Sequence, residues 1–193
     1  MLRVVKLGGN LHEAPELADW LQVLARAGGR IVVVPGGGPF ADAVRAAQAR
    51  WGFTDAAAHH MALLAMEQYG LMLCALEPGL IPASDPEDIA RVLVRGRTPV
   101  WLPSSLCVGA ADIPESWSVT SDSLAAWLAA RLGAEALALV KHTVPVDIDP
   151  RALALAGWVD TAFPHFAKAF GKPIHLLGRQ EAPVFGEWLA HPV

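Results

Sequence analysis

Residues 30–35 read RIVVVP and run straight into Gly36-Gly37-Gly38. A strand with one wet face alternates apolar and polar residues. An unbroken β-branched run instead predicts a strand buried on both faces, as in a parallel sheet with helices on either side. The same pattern recurs in LRVVKL, closed by Gly8 and Gly9, in TPVWLP, in ALALVK ending at Lys141, and in PIHLL near the end. Helical stretches lie between. EAPELADWLQVLARAGG sets Leu17, Trp20, Leu21 and Leu24 on one stripe and stops at Gly28-Gly29. Pro39 suits a first helical turn, followed by a stripe of Phe40, Val44 and Ala47. Asp55 is placed to cap DAAAHHMALLAMEQYGLMLCAL, which is apolar nearly all round and reads as buried. Ser84 and Pro86 open a helix through Leu93, and Thr120 or Ser121 caps DSLAAWLAARLGA. Residues 149–193 read helix, helix, strand, helix. Strands alternating with helices imply right-handed crossovers, hence an α/β fold: a three-layer αβα sandwich around a mainly parallel sheet.

The 193 residues fit one domain spanning 1–193. At 53% apolar and 18% charged the chain is rich in core. A net charge of −4 with no long basic run argues against a nucleic-acid partner. Apolar stretches are interrupted before the ~20 residues that cross a bilayer, so no membrane association is expected. MLRVVKLGGN reads as an immediate strand and not as a secretory leader. Cys74 and Cys107 lack metal-ligand spacing and read as buried reduced thiols, which makes a cytoplasmic location the default.

In parallel sheets ligands gather at the carboxyl ends of the strands. Four features fall there: Lys6-Leu7-Gly8-Gly9, the glycines 36–38, the segment before Asp122, and Lys141. Gly36-Gly37-Gly38-Pro39-Phe40-Ala41 matches the dinucleotide pattern G-x-G-x-x-A. That pattern needs an acidic strand end about 20 residues on, and here the position falls inside AAAHHMALLAM. The Walker pattern is absent. What remains is a glycine loop feeding a helix N-terminus, whose unpaired N–H groups and positive dipole end suit a phosphate.

Two glycine loops with Lys6 point to two phosphate positions, a donor and an acceptor. Phosphoryl transfer needs in-line positioning and positive charge at the transferring group, and Lys6 and Lys141 can supply the charge. Asp122 can be an N-terminal acid favoured by the helix dipole, a carboxylate holding the two lysines, or a contact to magnesium on ATP. No metal site built from protein side chains is expected.

VVKLGGN, VVVPGGG, VTSDSLAAWLA and ALVKHT, in that order, resemble the amino acid kinase superfamily over residues 2–145. The string PGGGPFADAVRAAQARWGFTDAAAHHMALLAMEQYG is most similar to its aminomethylfuran phosphate kinase group. The resemblance implies the amino acid kinase fold, with an acceptor-binding half at 1–115 and a shortened nucleotide-binding half at 116–193. It also implies ATP and Mg2+, a phosphorylated small-molecule acceptor made into a diphosphate for methanofuran-type one-carbon cofactors, and a homodimer. Lys6 would then stabilise the transferring phosphoryl, held also by Gly8 and Gly9, and Gly36, Gly37 and Gly38 would cradle the acceptor. Asp122 would organise the lysines, Lys141 would meet the nucleotide phosphates with Thr143 beside it, and Thr120 and Ser121 would lie against the acceptor. One of His59 and His60 would contact the acceptor's phosphate, the other reading being a histidine packed in the core.

After Lys141 the superfamily shows Thr-Asp-Val-Asp-Gly or a near variant. This chain has HTVPVDIDP, with Thr143 matching and Val144 where Asp is expected, which implies relaxed base specificity or a lost lid. Trp51 and Tyr69 read as core, with an aromatic pocket wall as the alternative. Two other functions compete with the phosphate-monoester kinase. One is a kinase of a carboxylate acceptor, with Arg45 or Arg50 as the anion-binding arginine. The other is a non-catalytic binder of nucleotide or anion.

Overall fold

A computed structural model describes residues 1–145 and 149–190. Strands β1 (Arg3–Leu7), β2 (Ile31–Pro35), β3 (Leu80–Ala83), β4 (Thr98–Trp101), β5 (Ala136–Lys141) and β6 (Ile174–Gly178) form one sheet in the order β3-β4-β2-β1-β5-β6. Every neighbouring pair is parallel, as the unbroken apolar runs require. The helices are α1 (Leu17–Arg26), α2 (Gly38–Trp51), α3 (Asp55–Leu76), α4 (Pro86–Val94), α5 (Ser104–Cys107), α6 (Ser121–Arg131), α7 (Pro150–Leu155), α8 (Phe163–Phe170) and α9 (Phe185–Ala190). No described helix is long and apolar enough to cross a membrane.

The two-residue repeat of the strands sorts side chains between two cores. Val4, Val32, Val34, Leu137 and Leu139 pack with Ile89 of α4, with α6 and with α8. Val5, Leu7, Ile31, Val33, Ala138 and Val140 pack with α1 and Phe185 of α9. Lys6 shares its face with Val4, and Lys141 shares its face with Leu139, so both lysines project toward α6 from neighbouring strands. The chain first builds outward from β1 through β2, then crosses α6 to lay β5 on the other side. This reversal of strand order is where an open parallel sheet forms its crevice.

Several local expectations change. Thr54, not Asp55, caps α3: its Oγ1 accepts from the Ala57 N–H at 3.3 Å. Asp85, not Ser84, caps α4 through the Asp88 N–H at 2.8 Å. Strand β3, with Pro82 inside it, was not expected; an edge position tolerates the missing donor. α3 is not buried all round, because Met61, Leu64, Leu71 and Leu76 lie on an exposed flank. The stripe of α2 is centred on Ala41 and Val44. Trp51 is 73% exposed and stacks under Arg50 instead of joining the core. Cys107 is buried and Cys74 half-buried, both free thiols, and burial pushes both up to about 12. Val146, Asp147 and Ile148 of HTVPVDIDP, and residues 191–193 of the expected last helix, lie outside the described residues.

Candidate active site

The glycines of the two loops are explained first by each other. A Cβ on Gly36 would overlap the backbone nitrogen of Gly9, and a Cβ on Gly9 would overlap that of Gly38. The β1 and β2 loops therefore meet backbone to backbone, which no side chain permits. Gly38 adopts φ +53°, and a Cβ there would meet the Tyr69 ring at 3.2 Å. Tyr69 is thus core, buried under the loop.

Not all of these glycines can serve a ligand. The Gly8 N–H donates to Val140 O at 3.1 Å, and the Gly36 N–H to Leu7 O at 2.9 Å, so both continue the sheet ladder. Gly9, Gly37 and Gly38 stand at the starts of helical turns, where N–H groups have no partner within the helix. They line a cavity of about 470 Å³; Gly8 and Gly36 do not. The expectation that Gly8 and Gly36 offer N–H groups to a phosphate is corrected, because both donors are engaged.

Lys6 lines the same cavity, and Asp122 comes to it from the first turn of α6. α6 is buried from Asp122 to Ala129 and packs between the sheet and α8. Asp122 Oδ1 lies 3.0 Å from Lys6 Nζ, and Asp122 Oδ2 accepts from Lys141 Nζ at 2.7 Å. Lys141 Nζ also donates to the Trp158 carbonyl at 2.8 Å. Burial works against the Asp122 carboxylate, but the two ammonium groups outweigh it and hold its pKa below the usual range. Lys141 is pushed down to about 8, by burial and then by Lys6, with Asp122 opposing.

Of the two histidines, His59 is buried and lines the cavity, whereas His60 is exposed and does not. Burial lowers the His59 pKa, partly opposed by a hydrogen bond to the Ser116 backbone and by Glu115; its Nε2 has no partner among the described residues. Thr120 and Ser121 line the cavity as well. Thr143 is exposed and does not. Arg45 reaches the cavity with its guanidinium on Asp42 at 2.8 Å and 4.5 Å above the Trp117 ring; Arg50 does not reach it.

Asp160, absent from the sequence reading, also lines the cavity. Its Oδ2 accepts from Thr120 N–H at 3.0 Å, Thr120 Oγ1 at 2.9 Å and Ser123 N–H at 3.0 Å, and its Oδ1 accepts from Ser123 Oγ. Neither Thr120 nor Ser121 caps α6, since the Thr120 side chain makes no capping bond. The one local hint is Ser123, standing where a capping box would carry Glu or Gln. Among the described residues no cluster of acidic, histidine or cysteine side chains could hold a metal ion.

Comparison with known proteins bears on the family and the fold. The chain is 31% identical over 130 residues to (5-(aminomethyl)furan-3-yl)methyl phosphate kinase of Methanocaldococcus jannaschii. That match covers 66% of this chain and 59% of the relative, so the chain spans under two thirds of the length of the curated relative it matches. Uridylate kinase from Archaeoglobus fulgidus superposes with a TM-score of 0.68 at 15% identity, covering 92% of this chain and 91% of that one. UMP kinase from Ureaplasma parvum gives 0.66 at 14%, covering 92% and 89%. Aspartate kinase from Synechocystis gives 0.68 at 18%, covering 93% and 38%. The profile of the amino acid kinase family matches residues 1–152. By fold, by motif order and by that match, the chain belongs to the amino acid kinase family.

Proposed function

We propose that the protein is an ATP-dependent kinase that transfers the γ-phosphoryl group to the phosphate of a small phosphate monoester, giving a diphosphate. The observation that carries this reading is the arrangement Lys6–Asp122–Lys141 beside the loops of Gly9 and Gly37-Gly38. In-line transfer forms a bond between an acceptor phosphate oxygen and the γ-phosphorus and breaks the bridge to the β-phosphate, releasing ADP. Negative charge spreads over the transferring group, and it is met by the Lys6 and Lys141 ammonium groups and by the free N–H groups of the loops. Asp122 acts as organiser: with a lysine on each oxygen it holds two cations close together without taking part in bond making. Thr120, Ser121 and the glycines 37–38 face the acceptor, with Gly36 as the strand end that aims them.

Lys6 and the three N–H donors on the cavity, with Lys141 on the far side of Asp122, fit a polyphosphate. Mg2+, when bound, would supply further positive charge to the nucleotide phosphates. His59, buried, lining the cavity and with an Nε2 that has no partner among the described residues, suits the acceptor's phosphate, which restores the proton that burial disfavours. The likeness to the Methanocaldococcus jannaschii enzyme supports (5-(aminomethyl)furan-3-yl)methyl phosphate as the acceptor. A carboxylate acceptor has weaker support, because Arg45 is already engaged by Asp42. A pure binder has no need for a lysine–carboxylate–lysine arrangement.

The test is ADP release from ATP with a panel of acceptors: the aminomethylfuran phosphate, other phosphate monoesters, and carboxylates. Turnover is expected with the furan phosphate, and His59→Ala is expected to raise its KM at least tenfold, with His60→Ala near wild type. ATP binding without ADP release from any acceptor would overturn the kinase reading.

A further inference from the structure

The turn Gly157–Thr161, between α7 and α8, grips the site at two points. The Trp158 carbonyl takes the Lys141 ammonium, and Asp160 takes the backbone and hydroxyl groups of Thr120 and Ser123 on either side of Asp122. The turn is itself anchored: Ala162 N–H donates to Ser118 O at 3.0 Å, and Trp158 N–H to Leu153 O at 2.9 Å. One short segment thus sets the position of both Lys141 and the first turn of α6.

We infer that Asp160 is a positioning residue for phosphoryl transfer, docking the first turn of α6 so that Asp122 sits between Lys6 and Lys141. Geometry carries the inference. α6 brings no capping side chain of its own, and an uncapped first turn frays. Asp122 is the second residue of that turn, so fraying would move its carboxylate away from the lysines. Asp160 is fully engaged by four donors and acts through the helix, not on the reacting atoms.

Its charge has a second effect that a merely structural cap would lack. Among the described residues, the charged groups facing Lys141 are Asp122 from α6, Lys6 from β1 and Asp160 from the α7–α8 turn. Asp160, whose own pKa is raised by burial and then by Asp122, adds a second acidic group on this side of Lys141 and favours its ammonium form. A neutral residue at 160 therefore moves Lys141 deprotonation to lower pH.

The test uses Asp160→Asn, which keeps the shape of the cap, and Asp160→Ala, which removes it. This positioning role rests on the kinase reading, so one of the two measurements needs no acceptor. In the first, the Lys141 amine is acylated in short pulses across pH and quantified by peptide mass spectrometry. Its midpoint is expected near pH 8 in wild type and at least half a pH unit lower in Asp160→Asn. In the second, turnover with ATP and acceptor is followed across pH. Asp160→Asn is expected to lose kcat at least tenfold with KM changed under threefold, and its alkaline limb should move with the acylation midpoint.

Thermal melts show whether each variant is folded at the assay temperature. An unshifted Lys141 midpoint, or wild-type kcat in Asp160→Asn, overturns the positioning role. Loss that only follows the unfolded fraction also overturns it. A shifted midpoint in a protein that turns over no acceptor refutes the kinase reading instead and leaves the charge coupling standing.

Discussion

Replacing Lys6 with Met separates stability from chemistry at this site. Lys6 Nζ lies 3.0 Å from Asp122 Oδ1, both side chains nearly fully buried. At an effective dielectric of 20 the gross attraction of such a pair is about 5 kcal/mol, most of which repays the desolvation of the two charges. Lys6→Met removes one ammonium and leaves a side chain of similar length. Asp122 is not orphaned, because Lys141 still donates to Oδ2 at 2.7 Å. The stability loss is therefore expected to be about 1–2 kcal/mol, below the ~3–5 kcal/mol seen when a buried charge loses its only partner. The rate should behave differently. A donor aimed at developing negative charge contributes about 10²–10³ in kcat, or ~3–4 kcal/mol, when removed. Denaturant unfolding measures the first quantity and coupled ADP release the second, in the same buffer. Lys6→Met with undiminished turnover would refute the assignment of Lys6 to the transferring group. A rate loss no larger than the stability loss would reduce Lys6 to a structural ion pair.

Asp122→Asn leaves two buried ammonium groups without their shared carboxylate, and is expected to cost about 3–5 kcal/mol by denaturant unfolding. Because Lys6 and Lys141 hold the Asp122 pKa below its unfolded value, its contribution is present above the ordinary carboxylate range and is lost as pH falls through the depressed pKa; the acid limb of wild-type stability should therefore flatten in Asp122→Asn. Gly36→Ala pushes a methyl group into the backbone of Gly9 and is expected to lower stability by about 1–3 kcal/mol. It should also cut turnover by parting the two loops, with melting temperature and ADP release as readouts.

Periodicity was enough for the parallel sheet, its flanking helices and the strand-end position of the glycine loops, because burial on both faces leaves a continuous apolar run that little else explains. That Lys6, Asp122 and Lys141 would meet was legible for a related reason: charged residues ending neighbouring buried strands, and one opening the helix between them, fall at the same edge of the sheet. Edge strand β3 escaped notice, since Pro82 and one solvated flank erase the pattern. Helix caps were misplaced by one residue at Asp55 and Ser84, where several side chains in a row can cap and only the entry direction of the chain selects one.

What the residues determined by themselves was therefore the layer architecture and the strand-end position of the charged and glycine-rich segments, both of which follow from local burial and charge. Contacts between segments remote in the chain belonged to the tertiary structure alone. It turned His59 inward and His60 out, since one helix face is chosen by what packs against it. It assigned Gly8 and Gly36 to the sheet ladder and left Gly9, Gly37 and Gly38 open. It brought Asp160 onto α6 across some forty residues, a pairing with no local period to reveal it.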